Sequence, residues 1–270
     1  MQLPLSADTI GLGFIELQSV DSTNKYAMKL AHAGMAQHGV VVFTHEQCEG
    51  RGQRGKNWHS EKGANITLSI VINPNPLLVS EQFKLSICTS VSVCEFFSVW
   101  AGEETKIKWP NDLYWRDRKA GGVLIENIVG SSESGVGSPK SGNVIASKAK
   151  QWKWAVIGIG ININQTLFSD NLPNPVSLKQ ITGKNFEPVE LAKQFCSVFD
   201  KNFKLLLTGN FETLFKNYQT HLYKKDEIVK LKKGNRVFET TIKGVSESGQ
   251  LITHYLIEER FEFGEIEWVL

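Results

Sequence analysis

The stretch Glu49-Gly50-Arg51-Gly52-Gln53-Arg54-Gly55-Lys56-Asn57-Trp58 decides which fold this chain takes. It carries three glycines, two arginines and a lysine. Glycine lets the backbone approach a ligand closely. Successive N–H groups can form a concave anion site, and Arg and Lys add charge where a phosphate would sit. The spacing Gly50-x-Gly52-x-x-Gly55 also matches the dinucleotide fingerprint, which must follow a strand directly and open a helix. Neither condition is met. The strand expected over Val40–Phe43 is separated from the glycines by the polar run Thr44–Glu49, and Lys56–Asn65 has no helical periodicity. The stretch therefore reads as a loop between strands, either a basic anion-binding loop or a solvated surface loop, and a doubly wound dinucleotide fold is excluded.

At 270 residues the chain can hold one large domain, or one with a small appendage. With 41% hydrophobic and 21% charged residues, it falls in the ordinary globular class. The net charge of +2 supplies no global field for nucleic acid, so anion binding must be local. Cys48, Cys88, Cys94 and Cys196 lie far apart, and read as reduced thiols rather than a disulfide frame or zinc site. The N-terminus lacks the charged and apolar regions of a signal peptide, and no apolar run approaches a membrane span. A cytoplasmic protein is expected.

Along the chain, Phe14–Leu17, Gly39–Phe43, Ile66–Ile72, Thr105–Trp109, Leu113–Trp115, Ala120–Glu126 and Trp152–Asn164 read as strands. Lys25–Ala31, Ser80–Trp100, 188–207 and 210–222 read as helices, with Pro188 suited to a first turn. Ser22 or Thr23 could cap the first of them. From Asp226 the pattern changes to short alternating strands, Ile228–Leu231, Val237–Val245, Gln250–His254 and Phe261–Val269. This predicts an α+β architecture, a mixed sheet with helices followed by a small β-barrel, divided as 1–222 and 223–270. The Gly- and Ser-rich segment 130–142 reads as a hairpin tip or insertion.

Three segments look unlike core. In Lys108-Trp109-Pro110-Asn111-Asp112 a proline ends a strand and two polar turn residues follow. In Lys119-Ala120-Gly121-Gly122 a lysine enters a strand through two glycines, which mark close approach of a ligand or another backbone. In Ile157-Gly158-Ile159-Gly160-Ile161-Asn162-Ile163-Asn164 one face is isoleucine and the other is bare, ending in amides. A flat ligand against the bare face and glycines under a helix both explain that pattern. Arg51, Arg54, Lys56, Lys108 and Lys119 supply cations, while no nucleophile elbow, metal-ligand histidine cluster or Ser/His/Asp set is visible. Many cations without a nucleophile suit phosphoryl or nucleotidyl transfer, where the protein positions reactants and stabilises charge.

Ser22-Thr23-Asn24, the Gly50–Gly55 loop with Trp58, Lys108–Asp112, Lys119–Glu126 and Gly158–Asn162 occur in that order. The ordered set resembles the biotin protein ligases, through motifs from about Gly13 to Asn164 and through architecture to the C-terminus. The resemblance implies a class II synthetase-like biotin–lipoate ligase catalytic domain with an SH3-like C-terminal barrel. It implies activation of biotin by ATP as biotinyl-5′-AMP, then transfer to one lysine of a biotin carboxyl carrier protein domain. On the matching positions Ser22, Thr23, Asn24 and Gln47 meet the biotin head, and Arg51, Gly52 and Gln53 fold over biotin and phosphate. Lys119 bridges the biotin carboxylate and the α-phosphate, and Asn111 and Asn162 bind the nucleotide. Asp112 binds Mg²⁺ or orients the carrier lysine. Arg54, Lys108, Trp58, Gly121 and Gly122 complete the expected site, and the metal ligands stay unassigned.

Some family members carry arginine where this chain has Gln53, so a polar contact rather than a charge is expected there. Some relatives carry an N-terminal helix-turn-helix; with the first motif at Ser22, no DNA binding is expected. A lipoate–protein ligase shares the chemistry, but the arginine loop and the Lys-Trp-Pro-Asn-Asp string point to biotin. A nucleic-acid-binding module using the Arg-Gly loop is opposed by the small net charge. Monomer and homodimer both stay open. The basic loop is expected to be a lid, mobile when empty and ordered over biotin and the acyl-adenylate.

Overall fold

A seven-stranded mixed sheet forms the centre of the larger unit, in a computed structural model that describes residues 9–131, 150–170 and 172–269. Its strands are β1 (Phe14–Leu17), β2 (Val41–Thr44), β3 (Ile66–Ile72), β4 (Thr105–Lys108), β5 (Asp112–Trp115), β6 (Arg118–Ser131) and β7 (Lys150–Ile161). They lie in the order β1-β2-β3-β7-β6-β5-β4. Only β1 and β2 pair in parallel; they are joined across helix α1 (Thr23–His32), and the other neighbours are antiparallel. The N-terminal residues read for a signal peptide, and all of the Gly- and Ser-rich segment except Gly130 and Ser131, lie outside the described residues.

Period-two alternation assigns each strand residue to a face. Val41 and Phe43, Leu68 and Ile70, and Ile157, Ile159 and Ile161 pack with α2 (Gln82–Ala101) and α4 (Pro188–Leu207) in the main core. Phe195, Phe199 and Phe203 of α4 stack along this layer, and Phe96 of α2 meets Phe195 edge-on. On the opposite face α1 covers Val42, Val71 and Val156 with Ala27. The short α3 (Leu178–Thr182) was not expected, although Ser177 and Gln180 form the capping box that starts it. Helix α5 (Phe211–Thr220) completes the helical layer.

Helix α2 with its preceding turn, Val79–Ala101, is long and apolar enough by length and composition to cross a membrane. The sequence reading saw no such run because Ser, Thr and Cys interrupt it. These small polar residues are buried: Thr89 and Ser92 donate to the carbonyls of Leu85 and Cys88 one turn back, at 2.8 and 2.7 Å. Most of this segment is inside the fold, so the helix serves as the spine of the core.

A second, antiparallel sheet follows, made of β8 (Ile228–Lys233), β9 (Arg236–Val245), β10 (Leu251–His254), β11 (Glu258–Phe261) and β12 (Glu267–Val269), in the order β11-β10-β9-β8-β12. The single strand expected over Phe261–Val269 is two strands. Gly264, at φ +94, turns the chain, and Glu265 donates its N–H to the Glu262 carbonyl at 3.1 Å. The turn carries β12 away from β11 to pair with β8, which wraps the sheet into an SH3-like barrel. Residues 221–223 hydrogen-bond along the open edge of β4, and the Trp109 indole donates to the Gly249 carbonyl at 2.9 Å. These contacts fix the barrel beside the Lys108–Asp112 segment.

Candidate active site

The register of the sheet explains where a ligand can lie. Thr67, Gly160, Gly122 and Asp112 stand side by side across β3, β7, β6 and β5, with Ser69, Gly158 and Leu124 one step along. Where α1 ends this face loses its side chains, and a cavity of about 840 Å³ opens over the glycines. That is within the usual range for a small-molecule site. The Ile-Gly pattern draws on both explanations: the isoleucines face the main core, Gly158 lies under Asn24 in the first turn of α1, and Gly160 lies under Trp58 beside the cavity. A Cβ at Gly158 would strike the Asn24 amide, and one at Gly160 would stand 2.5 Å from the Trp58 ring. At Gly122 it would come 3.0 Å from Asp112 Oδ1, and at Gly121 2.7 Å from the Gly160 carbonyl, so Gly121 serves strand approach.

At one end the lining groups are neutral. Ser22 caps α1 by accepting from the Lys25 N–H at 3.5 Å, so the capping and the site readings both hold for this residue. Gln47 Oε1 accepts from the Thr23 N–H at 2.8 Å and lies 3.1 Å from the Thr23 hydroxyl. Ser69 Oγ lies 2.7 Å from the Thr23 hydroxyl and 2.5 Å from Asn24 Oδ1. Asn24 Nδ2 donates to Glu126 at 2.8 Å. Ser69 and Glu126 were not anticipated as part of this network. Both sit on the ligand face of their strands, which only the register reveals.

The basic loop folds over this end as a small hairpin. The N–H groups of Gly52, Lys56 and Trp58 donate to the carbonyls of Lys56, Gln53 and Gly50. Those three amides are used in closing the loop, which also brings side-chain charge. Arg51 reaches Glu126 at 3.6 Å, and Gln53 leans on the Val123 carbonyl at 3.5 Å. Arg54 adopts a left-handed backbone (φ 56) and lies against Gly264 of the barrel. The Trp58 ring covers Gly160, and its buried Nε1 donor has no protein partner.

The other end is charged. Lys119 Nζ pairs with Asp112 at 2.7 Å, each partly open to the cavity. Asn111 donates to the Val123 carbonyl at 2.8 Å and Asn162 to that of Val176 at 3.1 Å, so both amides also clasp the walls they line. Lys108 is buried, with Nζ 3.2 Å from the Tyr114 hydroxyl and within 5.6 Å of the Tyr114, Tyr223 and Trp268 ring centres. Burial pulls its pKa down to about 8; Lys119 and Lys56 push the same way and Asp112 opposes them. Lys108 therefore belongs to the wall, boxed by aromatic rings, rather than to the open mouth. Five cations (Arg51, Arg54, Lys56, Lys108 and Lys119) and two carboxylates (Asp112 and Glu267) line the cavity.

Two walls were missed. One is the loop bearing Phe168, Leu172, Pro173 and Pro175, which pairs with Lys119 through its own N–H and carbonyl. The other is the barrel segment Phe263, Ile266, Glu267 and Trp268. Neither carries a motif; a proline-rich turn and an alternating terminal strand are ordinary sequence, and only packing brings them here. Of the expected site residues, Gly121 alone does not line the cavity.

The model of the Biotin/lipoate A/B protein ligase family matches residues 16–137. The chain is similar to the bifunctional ligase/repressor BirA of Bacillus spizizenii, with 27% identity over 254 residues covering 92% of this chain and 71% of that protein. It is also similar to the biotin–[acetyl-CoA-carboxylase] ligase of Paracoccus denitrificans, with 26% identity over 242 residues covering 87% and 92%. A solved structure of the biotin protein ligase from Aquifex aeolicus, in complex with biotin and ATP, matches with a TM-score of 0.74 at 24% identity, covering 95% of this chain and 98% of that one. The motifs, the cavity and these likenesses agree: the chain is similar to the biotin/lipoate A/B protein ligase family over residues 16–137, and to biotin protein ligases along most of its length.

Proposed function

We propose that this protein is an ATP-dependent ligase that activates biotin as biotinyl-5′-AMP and transfers it to a lysine of a biotin carboxyl carrier protein. One observation carries the reading: a single cavity joins a neutral hydroxyl-and-amide end to a cationic end that holds Lys119. Hydroxyls and amides suit a neutral ureido ring, which donates and accepts. The cations suit a carboxylate and a triphosphate.

In the first step a biotin carboxylate oxygen attacks the α-phosphorus, and the bond to pyrophosphate breaks. Lys119 would leave Asp112 to lie between the two anions and stabilise the charge that develops. Arg51 and Arg54 would hold the phosphates, with Lys56 at the rim. The orphaned Trp58 donor would gain a partner, a sign that the wall is built for a ligand. In the second step the carrier lysine attacks the acyl carbon, its proton departs and AMP leaves. Asp112, freed from Lys119, is positioned to orient that amine. Ser22, Thr23, Asn24 and Gln47 hold the biotin head. Gly52 and Gln53 cover it, and Asn111, Asn162 and Gly122 line the nucleotide side.

Among the described residues no group of three or more His, Cys, Asp or Glu side chains could cage a metal. A Mg²⁺ would accordingly enter on the ATP phosphates, with Asp112 the carboxylate available beside Lys119. We take residues 1–222 as the catalytic unit and 223–270 as a barrel that closes the nucleotide wall. The reaction is placed in the cytoplasm, where ATP is at hand, and the partner is a carboxylase carrier domain. The repressor function in the name of the Bacillus relative stays with that protein. The test is to incubate the protein with ATP, Mg²⁺ and either biotin or lipoate and to identify the acyl-AMP. Biotinyl-AMP is expected; lipoyl-AMP alone would overturn the reading.

A further inference from the structure

Glu126 takes no part in the chemistry above, yet it anchors the neutral end of the cavity. It follows Leu124 on the ligand face of β6, opposite Val156 of β7. Its Oε2 accepts from Asn24 Nδ2 at 2.8 Å, and its Oε1 faces Arg51 at 3.6 Å. An ionised carboxylate can only accept hydrogen bonds. It therefore forces the Asn24 amide one way round, with nitrogen toward Glu126 and Oδ1 toward Ser69, 2.5 Å away. Ser69 has a single hydroxyl hydrogen, and Asn24 Oδ1 cannot donate, so that hydrogen goes to Asn24. The Ser69 oxygen is then an acceptor for the Thr23 hydroxyl at 2.7 Å, which turns the one Thr23 hydroxyl hydrogen away from Gln47 Oε1, 3.1 Å off. Gln47 Oε1 is held by the Thr23 N–H at 2.8 Å. The order runs Thr23 to Ser69 to Asn24 to Glu126, every donor pointing away from the cavity.

We propose that Glu126 is a positioning residue that sets this order, so that Thr23 presents a lone pair and Gln47 an N–H to the ligand head. That pattern complements a cyclic urea, which brings both N–H donors and a carbonyl acceptor. A ring with neither, such as a cyclic disulfide, gains nothing from it. Glu126 thus sets head-group specificity without touching the ligand, and the assignment rests on the biotin reading of the site.

The test is an exchange of donor and acceptor across the Asn24–Glu126 bond, read by the calorimetric Kd for biotin without ATP and by kcat at saturating biotin. Asn24→Asp alone sets two carboxylates against each other. It should weaken biotin roughly ten- to a hundredfold, the range a charge-assisted bond supports, while kcat changes far less. Adding Glu126→Gln lets the new amide donate to the carboxylate introduced at position 24, restores the order at Ser69 and Thr23, and should recover most of the affinity. Should Asn24→Asp fail to fold, Glu126→Leu decides: it removes the acceptor and should cost the folded protein biotin affinity by a similar factor, with a melting point lowered by only a few degrees. Unaltered biotin affinity in either single variant, or no recovery in a folded double variant, overturns the proposal. A wild-type protein that binds lipoate but not biotin overturns the functional reading instead.

Discussion

Gly158→Ala isolates the claim that the bare strand face is the ligand face. Gly158 has no positive φ, so alanine meets no backbone strain there. The added methyl strikes the Asn24 amide, which is held by Ser69 and Glu126 and cannot yield without breaking one of them. Overpacking of this kind costs roughly 1–3 kcal/mol. The smaller entropy of the unfolded chain returns about 0.4–1 kcal/mol. The net loss is roughly 0–2.6 kcal/mol, a fall in Tm of up to several degrees in a chain of this size. Binding should suffer more. Asn24 is displaced, and its charge-assisted bond to Glu126, worth about 1.5–3 kcal/mol, no longer orders the head pocket. Biotin should bind roughly ten- to a hundredfold more weakly. Calorimetry on the folded variant with biotin alone reads this, and circular dichroism reports the fold. A folded Gly158→Ala protein with wild-type biotin affinity would refute the placement of the ligand against this strand.

Lys119→Ala should abolish most adenylation yet shift stability by no more than about 1 kcal/mol, because its pair with Asp112 is open to solvent; near-normal biotinyl-AMP formation would remove Lys119 from the mechanism. Lys108 has a folded pKa of about 8 against 10.5 for the free side chain. Between these values the unfolded chain binds the extra proton, so this lysine makes unfolding free energy rise with pH from about 8 to 10.5. Urea melts of wild type and Lys108→Met should diverge in that window, and parallel curves would show that Lys108 is not desolvated. Trypsin should cut after Arg51, Arg54 or Lys56 in the free protein and be slowed by biotin plus ATP; equal rates would count against the loop as a lid. Trp268→Ala opens the aromatic box around Lys108 and one cavity wall, so it should raise the KM for ATP severalfold, and an unchanged KM would separate the barrel from the nucleotide.

Most elements were legible because their cause is local. The helix over 188–207 follows from a first-turn proline and an amphipathic period, and β7 from alternating isoleucine. The splitting of 261–269 was not legible, since an alternating run reads as one strand until Gly264 is seen to turn it toward β8. The membrane-length apolarity of α2 was obscured by its Ser and Thr residues, of which Thr89 and Ser92 bond back to their own helix. In the site, the motif residues were legible because their types are wrong for core. Ser69 and Glu126 were not, because a serine inside one strand and a glutamate inside another give no signal until register sets them beside Asn24.

The sequence by itself determined the chemistry on offer: cations without a nucleophile, a strand bare on one face, and a Gly-rich basic loop that opens no helix. These follow from residue type and spacing, which need no partner to be read. Tertiary structure decided how the parts are used. It turned three amides of the basic loop onto its own hairpin, boxed Lys108 among three aromatic rings, and brought a turn and a terminal strand in as walls. The physical reason is that hydrogen-bond partners, burial and strand register belong to pairs of residues far apart in the chain. Asn24 and Glu126, 102 positions apart, acquire their relation only when the sheet forms.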